Sequence, residues 1–364
     1  MKFIKKYLVM SVFLVAIYGG LITSIFVKDT EFSEIENKIL MQKPEFTFDG
    51  IKNGTYMKNF DRYVVDQFPE RIKFVTLKNK VMYTLGYREF RGIYYGKDRR
   101  LLEKFNLNED NINKNLDIMN RMNNYFGIDA IGMFIPNSIS IYKESMPFYA
   151  LSDSQEELLE YIKDNFNGKY YTPYKILLEN KNKDIYFKTD HHWTQYGAGL
   201  MYEDYYDKKI DAEYVEVSEG FLGTYYSKVL FDSIEPDKIY AYEDVKDYNI
   251  QYDGVTSNSL YDKSKLKGKN KYQYFLNGDP AMAVIEGDGN GEVLIFKDSF
   301  AHAYIPFLAK EYSKIHVIDP RYSNVNIVDY VQHNSNISKI YYIYSLSSLN
   351  SSNIFAKYKS MLNQ

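Results

Sequence analysis

The stretch EVLIFKDSFAHAYIPFLAKEYSKIHVIDPRY, residues 292–322, decides the fold. Glu292 to Phe296 is a short apolar run of the kind that forms a strand buried on both faces. Ser299 to Lys310 follows with helical spacing, and Lys314 to Ile318 is a second apolar run. Further along, Val325 to Gln332 reads as another helix and Ile340 to Tyr344 as a third strand. This alternation predicts an α/β fold with a parallel sheet and helices on its faces. Ligands in such folds sit at the carboxyl ends of the strands.

Upstream, Ala130 to Ile135 reads as a core strand closed by Pro136-Asn137, preceded by a helix over 109–125. Ile185-Tyr186-Phe187 reads as a short strand leading into Asp190-His191-His192-Trp193-Thr194, with a helix over Gln195 to Tyr206. Residues 207–290, rich in tyrosine and turn residues, read as an insertion or one side of a groove. Residues 56–86 carry apolar side chains at helical spacing, and 29–55 read as a connector.

At the N-terminus, Lys2, Lys5 and Lys6 precede an uncharged apolar run from Tyr7 to Val27, about 21 residues, enough to cross a bilayer as a helix. The charge asymmetry predicts that everything after the run lies outside the cytoplasm. Tyr18-Gly19-Gly20 is a poor cleavage site, so an uncleaved anchor over residues 1–28 is expected in preference to a removed signal.

Composition narrows the function. Hydrophobic residues at 45% and charged residues at 26% describe a folded protein. A net charge of -3 without a basic stripe argues against nucleic acid as a partner. The chain has no cysteine, which removes disulfides, thiolate nucleophiles and cysteine-bound zinc together. Its 38 tyrosines fit either nucleotide bias or aromatic platforms for sugars, and composition does not separate the two.

Three features fall at strand ends. Ser299 follows a buried strand and opens a helix, where backbone N–H groups can stabilise an oxyanion. The same position suits a serine that only caps the helix. Asp190-His191-His192-Trp193 holds two of the five histidines and the only tryptophan. An imidazole can take a serine proton while a carboxylate fixes its tautomer. The same residues are also metal ligands, and an Asp-His-His motif occurs in metal phosphoesterases, but no second cluster completes a site, so no metal is expected. Asp319-Pro320-Arg321-Tyr322 offers Arg321 and Tyr322 as donors to an anionic or carbonyl oxygen, or simply a solvated loop. His302, one turn past Ser299, lines the site or the helix surface. His316 reads as a strand residue and His333 as a helix C-terminal one.

Asp190-His191-His192-Trp193-Thr194 with Lys297-Asp298-Ser299-Phe300 resembles the AlgX/AlgJ-like group of SGNH-type acetyltransferases, especially the Gram-positive DHHW proteins. Further matches lie at Phe32-Ser33-Glu34, Glu36-Asn37-Lys38, Pro44-Glu45-Phe46, Asp66-Gln67-Phe68-Pro69 with Arg71, and Ile135-Pro136-Asn137 with Tyr142 and Met146-Pro147. Phe221-Leu222-Gly223-Thr224-Tyr225-Tyr226-Ser227 and Pro306-Phe307-Leu308 also fit, so the resemblance spans roughly residues 30–345. It implies an SGNH/flavodoxin-like catalytic domain over 56–364 behind an N-terminal transmembrane helix. It also implies Ser299 as nucleophile, His192 as base and Asp190 as orienting acid. His191 stays outside that set. Asn137, His302, Arg321 and Tyr322 are the expected substrate or oxyanion contacts. Lys297 stands where many SGNH proteins have glycine, which bears on the tightness of the nucleophile turn.

The activity implied is acetyl transfer without a cofactor, through an acetyl-serine, onto an exopolysaccharide or cell-wall glycan, with a membrane-bound O-acyltransferase supplying acetyl. An acetylesterase with the same three residues, and a non-catalytic glycan-binding or assembly protein, are the alternatives.

Overall fold

The computed structural model describes residues 2–242 and 248–362; within the first helix, the side chains of residues 2–6, 9, 16, 21 and 25 lie outside the description. The contacts divide the chain into two compact units: Met1–Phe90 with Tyr226–Ser233, and Arg91–Tyr225 with Ile234–Gln364.

The second unit holds an eight-stranded sheet. Its strands are β1 (Asp129–Ile135), β2 (Lys169–Tyr171), β3 (Ile250–Tyr252), β4 (Val255–Ser257), β5 (Met282–Glu286), β6 (Glu292–Lys297), β7 (Lys314–Ile318) and β8 (Ile337–Ser345). Their spatial order is β4-β3-β5-β7-β6-β8-β1-β2. Strands β7, β6, β8, β1 and β2 run parallel, while β3, β4 and β5 form an antiparallel edge. The fold is therefore mixed α/β with a large, mostly parallel sheet, and the all-parallel expectation is corrected at that edge. Within that edge the turn at Asp253-Gly254 joins β3 to β4, and two residues can join only antiparallel strands. The stretch 207–290 thus supplies three strands of the central sheet; its residues 243–247 lie outside the described ones.

The three parallel strands expected near the C-terminus are present. Val293, Leu294, Ile295 and Phe296 are all fully buried, as a strand covered on both faces requires. Register brings the carboxyl ends together: Phe296 faces Ile318, Lys297 faces Ile343 and Ser345 faces Ile135. The segments that follow β6, β7, β8 and β1 therefore emerge along one edge. They carry Ser299, Asp319 to Tyr322, Ser347 and Asn137.

In the first unit, α1 (Lys2–Phe26) is a 25-residue helix. Among the described residues, no helix is long and apolar enough to cross a membrane. Helices α2 (Thr55–Asp66) and α3 (Arg71–Thr84) belong to this unit, although the sequence places them with the catalytic domain. The connector is clamped by the Asp66-Gln67-Phe68-Pro69 motif and Arg71. Asp66 takes the Lys38 ammonium at 2.6 Å and the Met41 N–H at 3.0 Å. Gln67 accepts from the Thr30 N–H and donates to the carbonyls of Thr30 and Met41. Arg71 pairs with the buried Glu36.

One buried side chain makes several of the contacts that hold the C-terminal segment. Asn115, buried on α4 (Glu109–Phe126), donates to the carbonyls of Leu349 and Ser352 and accepts from the Ile354 N–H, at 2.8–2.9 Å. Asn115→Ala strands three buried backbone groups. Stability measured by denaturant unfolding should fall by about 2–4 kcal/mol with the sheet intact.

Candidate active site

Ser299 opens a 3-10 turn directly after β6. Its N–H has no partner within that turn, as at any helix start. Asp298 makes the turn tight without a glycine. One carboxylate oxygen accepts from the Phe300 N–H at 2.9 Å. The other accepts from the N–H and hydroxyl of Ser345, at 2.9 and 2.7 Å. The nucleophile turn is thereby tied to the end of the neighbouring strand β8.

Ser299 meets the Asp190–His192 motif directly. Its hydroxyl lies 2.7 Å from Nε2 of His192. The other ring nitrogen, Nδ1, lies 2.6 Å from Oδ1 of Asp190. A carboxylate only accepts, so Nδ1 carries the proton and Nε2 is left to accept from serine. Asp190 also takes the His192 N–H at 3.1 Å and, on its other oxygen, the Thr224 N–H at 2.7 Å. A Cβ on Gly223 would sit 2.3 Å from Cβ of Asp190, so only glycine permits this approach. Thr189 supports the same loop. Its hydroxyl accepts from the Gly223 N–H and donates to Asp237 at 2.6 Å.

Stacking holds the imidazole from one side. The Tyr272 ring lies parallel to His192, with centroids 3.7 Å apart at 8°. His191 packs at 3.7 Å, tilted by 37°. Trp193 donates its ring N–H to the Phe300 carbonyl at 2.8 Å, joining the motif to the serine turn.

The electrostatics suit a general base. Burial alone would push the Asp190 carboxyl up, but the imidazoles of His191 and His192 outweigh it and hold it well below the carboxylate range. Burial lowers His192, and the charge on His191 lowers it further, against the pull of Asp190. Burial opposes charge on His191 as well, but Asp190 prevails and raises it. The shifts thus favour the neutral form of His192 and the protonated form of His191.

Asn137 sits at the end of β1. Its Oδ1 accepts from Gln155 at 3.1 Å and from the N–H and hydroxyl of Ser347 at 3.0 and 2.8 Å. Among the described residues its Nδ2 has no partner, so the amide is oriented with a free donor. His302 and Lys297 are fully buried behind the turn. Lys297 donates to Nε2 of His302 at 2.8 Å and to Asp319 at 3.0 Å. Burial lowers both Lys297 and His302, and Lys297 depresses the histidine further. Arg321 grips Asp319 through two hydrogen bonds of 2.9 and 2.7 Å, which commits Nε and Nη2 to that carboxylate while the residue itself stays exposed. Tyr322 is 56% exposed, and its described contact is the Arg321 guanidinium 5.2 Å from its ring. The geometry thus unites Ser299, His192 and Asp190, with Arg321 engaged elsewhere and Tyr322 at the surface. His316 bonds Tyr330 and Glu292, and His333 bonds the Asp329 carbonyl.

Asp190, His191 and His192 also bring three metal-binding atoms within 4.8 Å. Both nitrogens of His192 are spent on Ser299 and Asp190, which leaves too few donors for a protein-held ion. Sequence reasoning missed Tyr272, one tyrosine among 38, and Asp237, which no motif marks.

Residues 92–318 match the family model described as DHHW protein. Comparison with curated proteins gives no match. Among solved structures, the chain is similar to a DHHW family protein from Eubacterium siraeum, with 22% identity and a TM-score of 0.60 over 72% of this chain and 93% of that one. It is also similar to Bacillus cereus PatB1, solved with a sulfonyl adduct, with 21% identity and a TM-score of 0.61 over 72% and 97%. At these identities the likeness establishes the fold.

Two consequences are measurable with an activated acetyl ester. Gly223→Ala displaces Asp190, and acylation should slow about a hundredfold. The acid limb of the rate–pH profile should lie below the ordinary histidine range, because His192 must be neutral to act. Removing the neighbouring charge with His191→Asn should raise the His192 pKa and move that limb to higher pH; an unmoved or lowered limb would contradict the electrostatic reading.

Proposed function

The chain belongs to the DHHW family, and on that premise we propose that it is an extracytoplasmic O-acetyltransferase acting on an exopolysaccharide or cell-wall glycan. One observation carries the reading: the unbroken line from Ser299 through His192 to Asp190, each atom at hydrogen-bond distance and the imidazole in the accepting tautomer. A serine used only as a helix cap has no need of that arrangement.

Ser299 Oγ attacks the acetyl carbonyl of the donor while its proton passes to Nε2 of His192. The oxyanion is met by the Ser299 N–H and by Nδ2 of Asn137. Collapse returns the proton from His192 to the departing group and leaves acetyl-Ser299. In the second half His192 takes a proton from a sugar hydroxyl, whose oxygen attacks the ester and carries the acetyl away, and the imidazolium returns that proton to the departing Ser299 Oγ. Asp190 stays ionised throughout and steadies the transient imidazolium. The sulfonyl adduct in PatB1 supports the assignment: sulfonyl electrophiles add to activated nucleophiles, and Ser299 is the activated nucleophile of this chain.

The acetyl supplier is a membrane-bound O-acyltransferase in this reading, and α1 anchors the enzyme beside it. The sequence supports the anchor: an uncharged apolar run of about 21 residues, Tyr7 to Val27, follows three lysines. Exposed Val12, Phe13, Val15 and Ile22 on that helix suit a lipid environment.

The test is incubation with an acetyl ester and a candidate oligosaccharide, read by mass spectrometry. Acetylated sugar, with an acetyl group on Ser299 that is absent in Ser299→Ala, is the expected result. Free acetate alone would make the protein an esterase, and no turnover with no Ser299 adduct would overturn catalysis.

A further inference from the structure

Helix α3 packs one face inward and leaves most of the other exposed. Asn79 donates to the Val229 carbonyl at 2.6 Å, and Tyr83 packs edge-on against Phe231 at 5.6 Å. At about 100° per residue, the opposite side presents Phe74, Leu77, Val81 and Leu85 within an arc of about 80°. They are exposed by 56, 58, 51 and 69%. Lys73 and Lys80 flank the stripe on one side and Lys78 on the other. Of the four cationic residues of α3, Arg71 is paired with Glu36 and Lys73 with Glu70, so Lys78 and Lys80 carry the flanking charge, and the helix itself contains no acid. A single exposed leucine needs no explanation; four apolar side chains in register between lysines do.

The same unit ties this helix to α1. The Phe68 ring packs on the backbone of Gly20, 2.9 Å from where a Cβ would stand. Phe68 in turn meets Phe74, the first residue of the stripe, edge-on at 5.7 Å. Gln67 holds both the N–H and the carbonyl of Thr30, just past the end of α1. Tyr63 donates to Asp29 at 3.2 Å. The start of α3 is therefore fixed at the outer end of the proposed anchor, with Phe68 reaching back along it.

We propose that the exposed face of α3 lies on the outer surface of the bilayer that holds α1, with its stripe among the acyl-chain boundary and its lysines on anionic headgroups. An apolar stripe with basic flanks is the pattern of an interfacial helix. The assignment rests on α1 being a membrane anchor. It makes the first unit a two-point footing: one helix through the membrane and a second along it.

The absence of cysteine makes the test direct. Full-length chains carrying Leu77→Cys, Val15→Cys or, as a control in the second unit, Lys359→Cys are labelled with a polarity-sensitive dye. They are then placed in phosphatidylcholine–phosphatidylglycerol vesicles containing nitroxide lipids, with circular dichroism confirming the fold. The label at 77 should shift to the blue and lose most of its emission to headgroup-depth nitroxides, while that at 359 stays unquenched. Adding Lys78→Glu and Lys80→Glu should reduce occupancy of the surface by about fivefold or more per lysine. A quenched label at 15 with an unquenched label at 77 overturns the proposal and leaves the anchor standing. An unquenched label at 15 overturns the anchor and the proposal with it. A label at 77 shielded from water but untouched by lipid nitroxides assigns the stripe to a second copy or another protein, and likewise overturns it.

Discussion

The buried carboxylate of Asp190 is the constraint around which the site is built. A charge at 3% exposure is tolerable only when fully solvated by the protein. Here that solvation comes from the backbone and ring of His192 and the backbone of Thr224, with Gly223 flush against the side chain. Each of these contacts also sets geometry. The ring bond fixes the tautomer, and the Thr224 contact draws the 221–225 segment over the motif. The cost of burying Asp190 is thus offset by the interactions that orient the base.

Much of this is legible in the chain. The strands at 292–296, 314–318 and 340–344 are continuous apolar runs, and burial on both faces is what such runs are for. The serine at 299 follows the apolar strand at 292–297 as the sequence suggests, whereas the short strand expected at 185–187 is only an isolated bridge between Tyr186 and Trp193, which folds the motif at 190–194 back on the residues before it. What stays hidden depends on three-dimensional pairing. The antiparallel edge comes from short strands at 250–257 and 282–286 within polar, turn-rich sequence, where periodicity is weak. Tyr272 is distinguished from other tyrosines only by the ring it covers. Arg321 reads as a donor to substrate because its loop sits at a strand end; its actual partner, Asp319, is two residues away, and a bidentate grip on that buried carboxylate commits two of its donors.

Lys297 illustrates how a departure from a pattern is absorbed. Where a glycine would allow a tight turn by lacking a side chain, Lys297 points its chain inward and meets Asp319 and His302 behind the nucleophile. A buried ion pair of this kind adds little stability relative to apolar packing, but removal of one partner is expensive. The turn itself is tightened by Asp298 and Ser345 instead, so the side chain before the Asp-Ser pair is released from that duty.

The strand order carries a consequence for how the protein comes into being. Strand β1, near residue 130, is sandwiched between β2 and β8, and β8 closes only near residue 345. Pairings across some two hundred residues are slow to form, because a long loop must close before any contact rewards it. A chain that emerges from synthesis N-terminus first holds Asp190 and His192 long before Ser299 arrives. Until the final strand is delivered the sheet has an open slot in its centre, and Asp298 has no Ser345 to bind. A chain without its last strand therefore lacks both the link between β6 and β1 and the Ser345 contacts that hold the Ser299 turn, so the geometry of the site is completed only when almost the whole chain is present.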